Sequence, residues 1–112
     1  MREAAFVRIA LTTAGSLEEA QDLAHALVER RVAACVNLIP NLTSVYHWQG
    51  AVEETTEVLL LIKTNAEQLP ALEVALQELH SYEVPELLAI NVESAGQPYL
   101  DWLMGSVQHS AD

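Results

Sequence analysis

With 112 residues, 51% of them hydrophobic and 19% charged, the chain has the make-up of one folded domain with its own core, which excludes both pervasive disorder and two domains of ordinary size. Sixteen acidic residues against five basic ones give a formal charge of −11, so phosphate backbones and anionic lipid surfaces are poor partners. No apolar run approaches the roughly 20 residues of a membrane span, and the lone cysteine, Cys35, cannot form a disulfide within the chain.

The opening MREAAFVRIALTTAG carries a charge and an apolar stretch as a secretion signal does, but Arg8 interrupts it and the segment alternates, so it reads as mature, cytoplasmic sequence. Phe6 to Leu11 alternates as a strand, ending at Thr12, Thr13 and Gly15. SLEEAQDLAHALVERR follows as a helix, with Ser16 placed to cap it, Glu19 three residues on, and Arg30 and Arg31 at the far end of the dipole. Leu17, Ala20, Leu23, Ala24, Leu27 and Val28 form its apolar stripe.

VAACVNLIPNLTSVYHW is apolar and β-rich, with a bend or bulge at Pro40-Asn41. Gln49-Gly50 marks a hairpin turn, and AVEETTEVLLLIKT returns as an unusually long partner strand. A second helix, capped by Thr64 or Asn65, carries Leu69, Leu72, Ala75, Leu76 and Leu79 on one face and admits Pro70 only in its first turn. HSYEVP ends it, and Pro85 drives the chain into a fourth strand, ELLAINV. Pro98 then opens a short third helix with Leu100, Leu103, Met104 and Val107 on one side.

The order is an α+β, ferredoxin-like βαββαβ sandwich over residues 1–112, a single domain with a long hairpin between its second and third strands and an added C-terminal helix. Right-handed crossovers place both main helices on one face of the sheet. Yet the strands are apolar on both faces, with Val36 and Leu38 against Cys35 and Ile39, and Leu60 and Ile62 against Leu59 and Leu61. A bare apolar sheet face exceeds what a soluble monomer leaves exposed, so an obligate homo-oligomer is expected.

Over nearly its whole length the chain resembles the CutA (CutA1) family, named for divalent cation tolerance. The resemblance rests on AACVNLIP, TSVYHWQG, LLLIKT, HSYEVPELL and YLDWL in the same order and at the same spacing. It implies a tight trimer similar in plan to the PII-type signalling proteins, and an association with copper and other divalent cations; the count of three comes from this likeness and not from periodicity.

His80 is the sharpest metal candidate, because imidazole suits copper, zinc and nickel, and a helix terminus lets a ring project into solvent or a cleft. The plainer reading is that it complements the carbonyl end of the helix. Relatives thought to bind copper use histidine at this turn, one form reading His-His-Pro-Tyr with a cysteine at the end of the first strand. Here Leu79, Ser81 and Thr12 stand in those places, so His80 alone carries over and implies Cu(II) or another divalent cation bound weakly, with no required cofactor.

Cys35, mid-strand between Ala34 and Val36, reads as a buried thiol, since no neighbouring cation lowers its pKa for nucleophilic work. His47 lies between Tyr46 and Trp48 near the hairpin tip, His25 lies off the helix stripe, and His109 is in the tail. Lys63, the one lysine, calls for a carboxylate, with Glu86 as the expected partner within or between subunits. The alternative is an inter-subunit cleft where Cys35, Lys63, Tyr82 and Glu86 meet a small ligand. Trp48 and Trp102 read as core or interface anchors. Without a phosphate loop, HExxH, CxxC or serine elbow, no catalysis is expected. The sequence therefore reads as a homotrimeric divalent-cation tolerance protein, with a PII-like sensor or scaffold as the alternative.

Overall fold

The computed structural model describes residues 1–107, so His109 lies outside the described residues. The elements are β1 (Arg2–Glu3), β2 (Val7–Ala14), α1 (Leu17–Glu29), β3 (Cys35–Trp48), β4 (Ala51–Asn65), a 3-10 turn (Ala66–Gln68), α2 (Leu69–Leu79), β5 (Leu88–Asn91), β6 (Ser94–Ala95) and α3 (Gln97–Ser106). A four-stranded antiparallel sheet runs β3-β4-β2-β5, which is the ferredoxin-like order, and β1 pairs with β6 apart from it.

Local chemistry explains the connections. The Ser16 hydroxyl accepts the Glu19 N–H at 3.1 Å and starts α1. The helix closes in a Schellman arrangement, in which the Val32 N–H reaches the Leu27 carbonyl and the Arg31 N–H that of Val28, with Arg31 at φ 59°. Arg30 stands at the C-cap and pairs with Glu78 at 3.7 Å, so neither arginine lies in the last helical turn. Gln49 and Gly50 both take positive φ, as a two-residue turn between twisted strands requires. Asn41, at φ 62°, sits in the one-residue slip between the pairs Ile39–Leu59 and Leu42–Glu57. Pro70 falls in the first turn of α2, and Asn65 caps the preceding 3-10 turn by accepting the Gln68 N–H at 2.9 Å.

Two boundaries differ from the sequence expectation. β2 continues through Thr12, Thr13 and Ala14, because these residues pair with Leu60, Leu59 and Val58 and are buried, which outweighs their turn-like character. β5 begins at Leu88, so Glu86 lies in the connection before it.

The register separates the two faces. Ala10, Ala14, Val58, Leu60 and Ile62 pack under α1 and α2, against Ala20, Leu23, Leu27, Leu72, Ala75 and Leu76. The opposite face is laid out in rows across the strands: Cys35, Lys63, Ile9 and Ile90; Asn37, Leu61, Leu11 and Leu88; Ile39, Leu59 and Thr13. α3 covers only one end, where Leu100, Leu103 and Val107 bury Val7, Ala4 and Ala34. Beyond that cover Ile39, Leu88 and Ile90 remain 45%, 57% and 48% exposed. The apolar second face inferred from the sequence is thus present, and in one chain it is open.

On the covered face the Thr12 hydroxyl is fully buried and finds no hydrogen-bond partner among the described residues. Such a group costs desolvation with no return. Thr12→Val, which replaces it with a methyl of similar shape, should stabilise the fold by about 1 kcal/mol, read as a raised midpoint in urea at constant slope.

Candidate functional site

The junction after α2 is built around His80. Its N–H closes the helix on the Leu76 carbonyl at 2.9 Å, and its backbone then turns extended. The fully buried ring lies with Nε2 2.6 Å from the Thr13 carbonyl oxygen, while Nδ1 accepts the Tyr82 N–H at 3.0 Å. A carbonyl can only accept and an amide N–H only donates, so the partners assign the neutral tautomer with its proton on Nε2. Both ring nitrogens are engaged inside the chain. The solvent- or cleft-facing imidazole expected from the sequence is corrected by this geometry: β2 runs past Thr12 and its last carbonyls draw the ring inward. A metal ion could reach a ring nitrogen only if one of these bonds opened.

Glu19, which follows the α1 cap, reaches across to the same junction. Its carboxylate accepts the Ser81 N–H at 2.8 Å and the Ser81 hydroxyl at 3.0 Å, and one oxygen lies 3.7 Å from His80 Nδ1. Burial alone would raise this carboxyl, but the backbone and hydroxyl donors of Ser81 outweigh it and hold it below its ordinary value.

Tyr82 continues the chain of contacts. Its ring packs against that of His80 with centroids 4.6 Å apart, and its hydroxyl donates to Glu57 Oε2 at 2.8 Å. Gly15 makes room for the phenol, because a Cβ there would lie 3.3 Å from the Tyr82 oxygen. Burial, then the hydrogen bond and negative charge of Glu57, push the phenol well above its usual range. Glu86 is also raised, by burial first and by the Glu57 charge second.

Tyr82, Glu57 and Glu86 line a cavity of about 580 Å³ together with Thr13, Ser44, Tyr46 and Trp48. Its walls are aromatic and aliphatic, its polar groups are the hydroxyls of Thr13 and Ser44 and the acids Glu57, Glu83 and Glu86, and no basic residue is in the lining.

The four residues expected to share a cleft divide into two sets. Tyr82 and Glu86 line the cavity. Cys35 and Lys63 are direct cross-strand partners farther along the sheet. Glu57 and Lys63 are six residues apart on β4, roughly 20 Å at the rise of a strand. Within one chain Lys63 therefore does not pair with Glu86; its ammonium lies 5.7 Å from the Tyr99 ring centre. Cys35, expected to be buried, is only half-buried because its side chain lies on the open face, and its thiol is 3.8 Å from the Asn37 amide oxygen. Trp48 and Trp102 are half-exposed, the latter packed on Tyr99 at 5.4 Å. The sequence marks Glu19 only as the capping-box partner of Ser16 and does not mark Glu57, for which the one available signal is an acid abutting the apolar run VLLLI.

Among the described residues no group of three or more His, Cys, Asp or Glu side chains is arranged to hold a metal ion. None of their helices is long and apolar enough to cross a membrane.

The family model of the CutA1 divalent ion tolerance protein matches residues 8–106. This chain belongs to the CutA1 family. It is 48% identical over 95 residues to the divalent-cation tolerance protein CutA of Thermus thermophilus, covering 85% of this chain and 92% of that one. It is 46% identical over 97 residues to the mouse protein CutA, covering 87% of this chain but only 55% of the mouse protein. The chain also spans only 59% of the human protein CutA. The crystal structure of CutA1 from Oryza sativa superposes with a TM-score of 0.92 at 34% identity, over 96% of this chain and 98% of that one. The matched residues include all those that build the His80 junction and line the cavity.

Proposed function

We propose that the chain is a non-catalytic, cytoplasmic, homotrimeric protein of divalent-cation tolerance, in which copper or another divalent ion is bound weakly and not in a built cage. The observation that carries the reading is the open apolar sheet face, which supports association with further copies of the chain. The number three follows the resemblance of the family to PII-type trimers. Weak binding is supported by the saturation of His80, whose capture of an ion costs the Tyr82 or Thr13 bond. Absence of catalysis is supported by the Cys35 thiol, which contacts an amide oxygen and not a base.

A second reading has its own observation. The aromatic and acidic cavity beside Tyr82 has the size of a small-molecule site, which favours a PII-like sensor or scaffold acting through that space.

Calorimetric titration of Cu(II) into the metal-free protein, beside His80→Asn, tests the first reading. A dissociation constant on the order of 0.1 mM or weaker is expected, corresponding to about 5 kcal/mol. Binding of one ion per chain below about 1 µM, abolished by His80→Asn, would establish a dedicated site and overturn weak binding.

A further inference from the structure

On the open face, the same-side residues of β4 read Glu57, Leu59, Leu61 and Lys63, an apolar stripe with an acid at one end and a cation at the other. Among the described residues neither end meets an opposite charge. At the acid end Glu57 is only 8% exposed and receives the Tyr82 hydroxyl, Glu86 stands close enough to feel its charge, and no lysine, arginine or histidine lines the cavity they share. Glu57 is largely withdrawn from water and the more exposed Glu86 lines the same cavity, so with no counter-charge there a cation would complement both carboxylates.

At the other end Lys63 is the chain's one lysine. The ion pairs of the described residues join Arg2 to Asp101 and Arg30 to Glu78, and Arg8 donates to the backbone carbonyls of Ala5 and Val7. Lys63 is left with the face of Tyr99. The roughly 20 Å of strand between the two ends prevents their meeting in one chain.

Both ends lie on the surface that self-association would cover. We infer that Lys63 of one copy enters the Glu57–Glu86 cavity of a neighbouring copy, so that the Tyr82 site is completed only in the assembly. This rests on the self-association reading above and adds its register. The partner is a second copy and not a foreign protein, because one face carries both halves of the ion pair and is therefore complementary to itself. In a chain of net charge −11, a cation delivered to an acidic cavity also offsets the repulsion between like-charged copies.

Zero-length coupling of amines to carboxylates by a carbodiimide tests the contact. Apart from the Met1 amine, Lys63 supplies the chain's only primary amine. Wild-type protein should give covalent multimers whose mapped junction peptides join Lys63 to Glu57 or Glu86. Native mass spectrometry of the same preparation before coupling reads the subunit count. Lys63→Met should lose these junctions and weaken association by roughly thirtyfold or more, whereas Lys63→Arg should lose the junctions and keep the assembly. Junctions from Lys63 to other carboxylates only, or a Lys63→Met protein that associates as tightly as wild type, would overturn the inference while leaving self-association intact. A wild-type protein that is monomeric before coupling would overturn both.

Discussion

Replacing His80 with alanine is expected to lower stability by about 3–5 kcal/mol, although the residue sits at a helix end. The ring ties the end of α2 to the end of β2 through the Thr13 carbonyl, and at the same time holds the Tyr82 N–H. Alanine leaves the buried Thr13 carbonyl without its partner, at about 1–3 kcal/mol, releases the part-buried Tyr82 amide at a smaller cost, and adds the loss of a packed ring. The effect spreads to Tyr82, whose ring rests on His80 and whose hydroxyl reaches Glu57. His80→Asn, whose amide oxygen stands in for the Nδ1 acceptor, should recover roughly half of the loss. Urea unfolding at neutral pH measures all three proteins; a cost under about 1 kcal/mol for alanine would mean that the junction is held by other contacts.

The second large effect is expected from Leu61→Glu. Leu61 lies in the middle row of the open face, between Asn37 and Leu11, with Leu88 beyond. In a single chain this row is not fully buried, so a glutamate there can stay hydrated and the fold should survive with unchanged far-ultraviolet circular dichroism. In an assembly every copy would have to bury an unpaired carboxylate against apolar side chains, at several kcal/mol per charge. Association should therefore weaken by at least about a thousandfold, the equivalent of some 4 kcal/mol. Sedimentation velocity at matched concentrations checks this, and a Leu61→Glu protein that sediments like wild type would show that the face is not an interface.

What could be read from the sequence follows the range of the interactions concerned. The start of α1, the Gln49-Gly50 turn, the Asn41 slip and the position of Pro70 depend on residues within a few places of one another, and all were legible. The two-faced character of the strands was legible too, because a period of two sorts Leu59 and Leu61 from Leu60 and Ile62 without knowledge of the fold. Thr12 to Ala14 read as a turn because their strand character comes from the ladder to β4, a partner more than forty positions away.

The candidate site was legible in its members more than in its arrangement. Tyr82 and Glu86 were named, and they do line one cavity, but their companion Glu57 enters only because β4 carries it beneath the Tyr82 hydroxyl. His80 looked outward from the sequence because a helix terminus is ordinarily wet. Its burial depends on the carbonyl of Thr13, a backbone atom that leaves no mark in the residue pattern. The expected Lys63–Glu86 pair does not form in one chain, since strand geometry separates its halves; each half nonetheless faces the side of the sheet on which a neighbouring copy is expected.

Sedimentation equilibrium of the untagged wild-type chain at micromolar concentration bears most directly on whether one polypeptide is a complete unit. The open sheet face and the split charge pair predict an assembly and no free chain, and the family's resemblance to PII-type trimers sets the expected mass at about three times the 12.3 kDa of one chain, independent of loading concentration. A mass of one chain across that range would contradict the association, and with it the completed cavity at Tyr82.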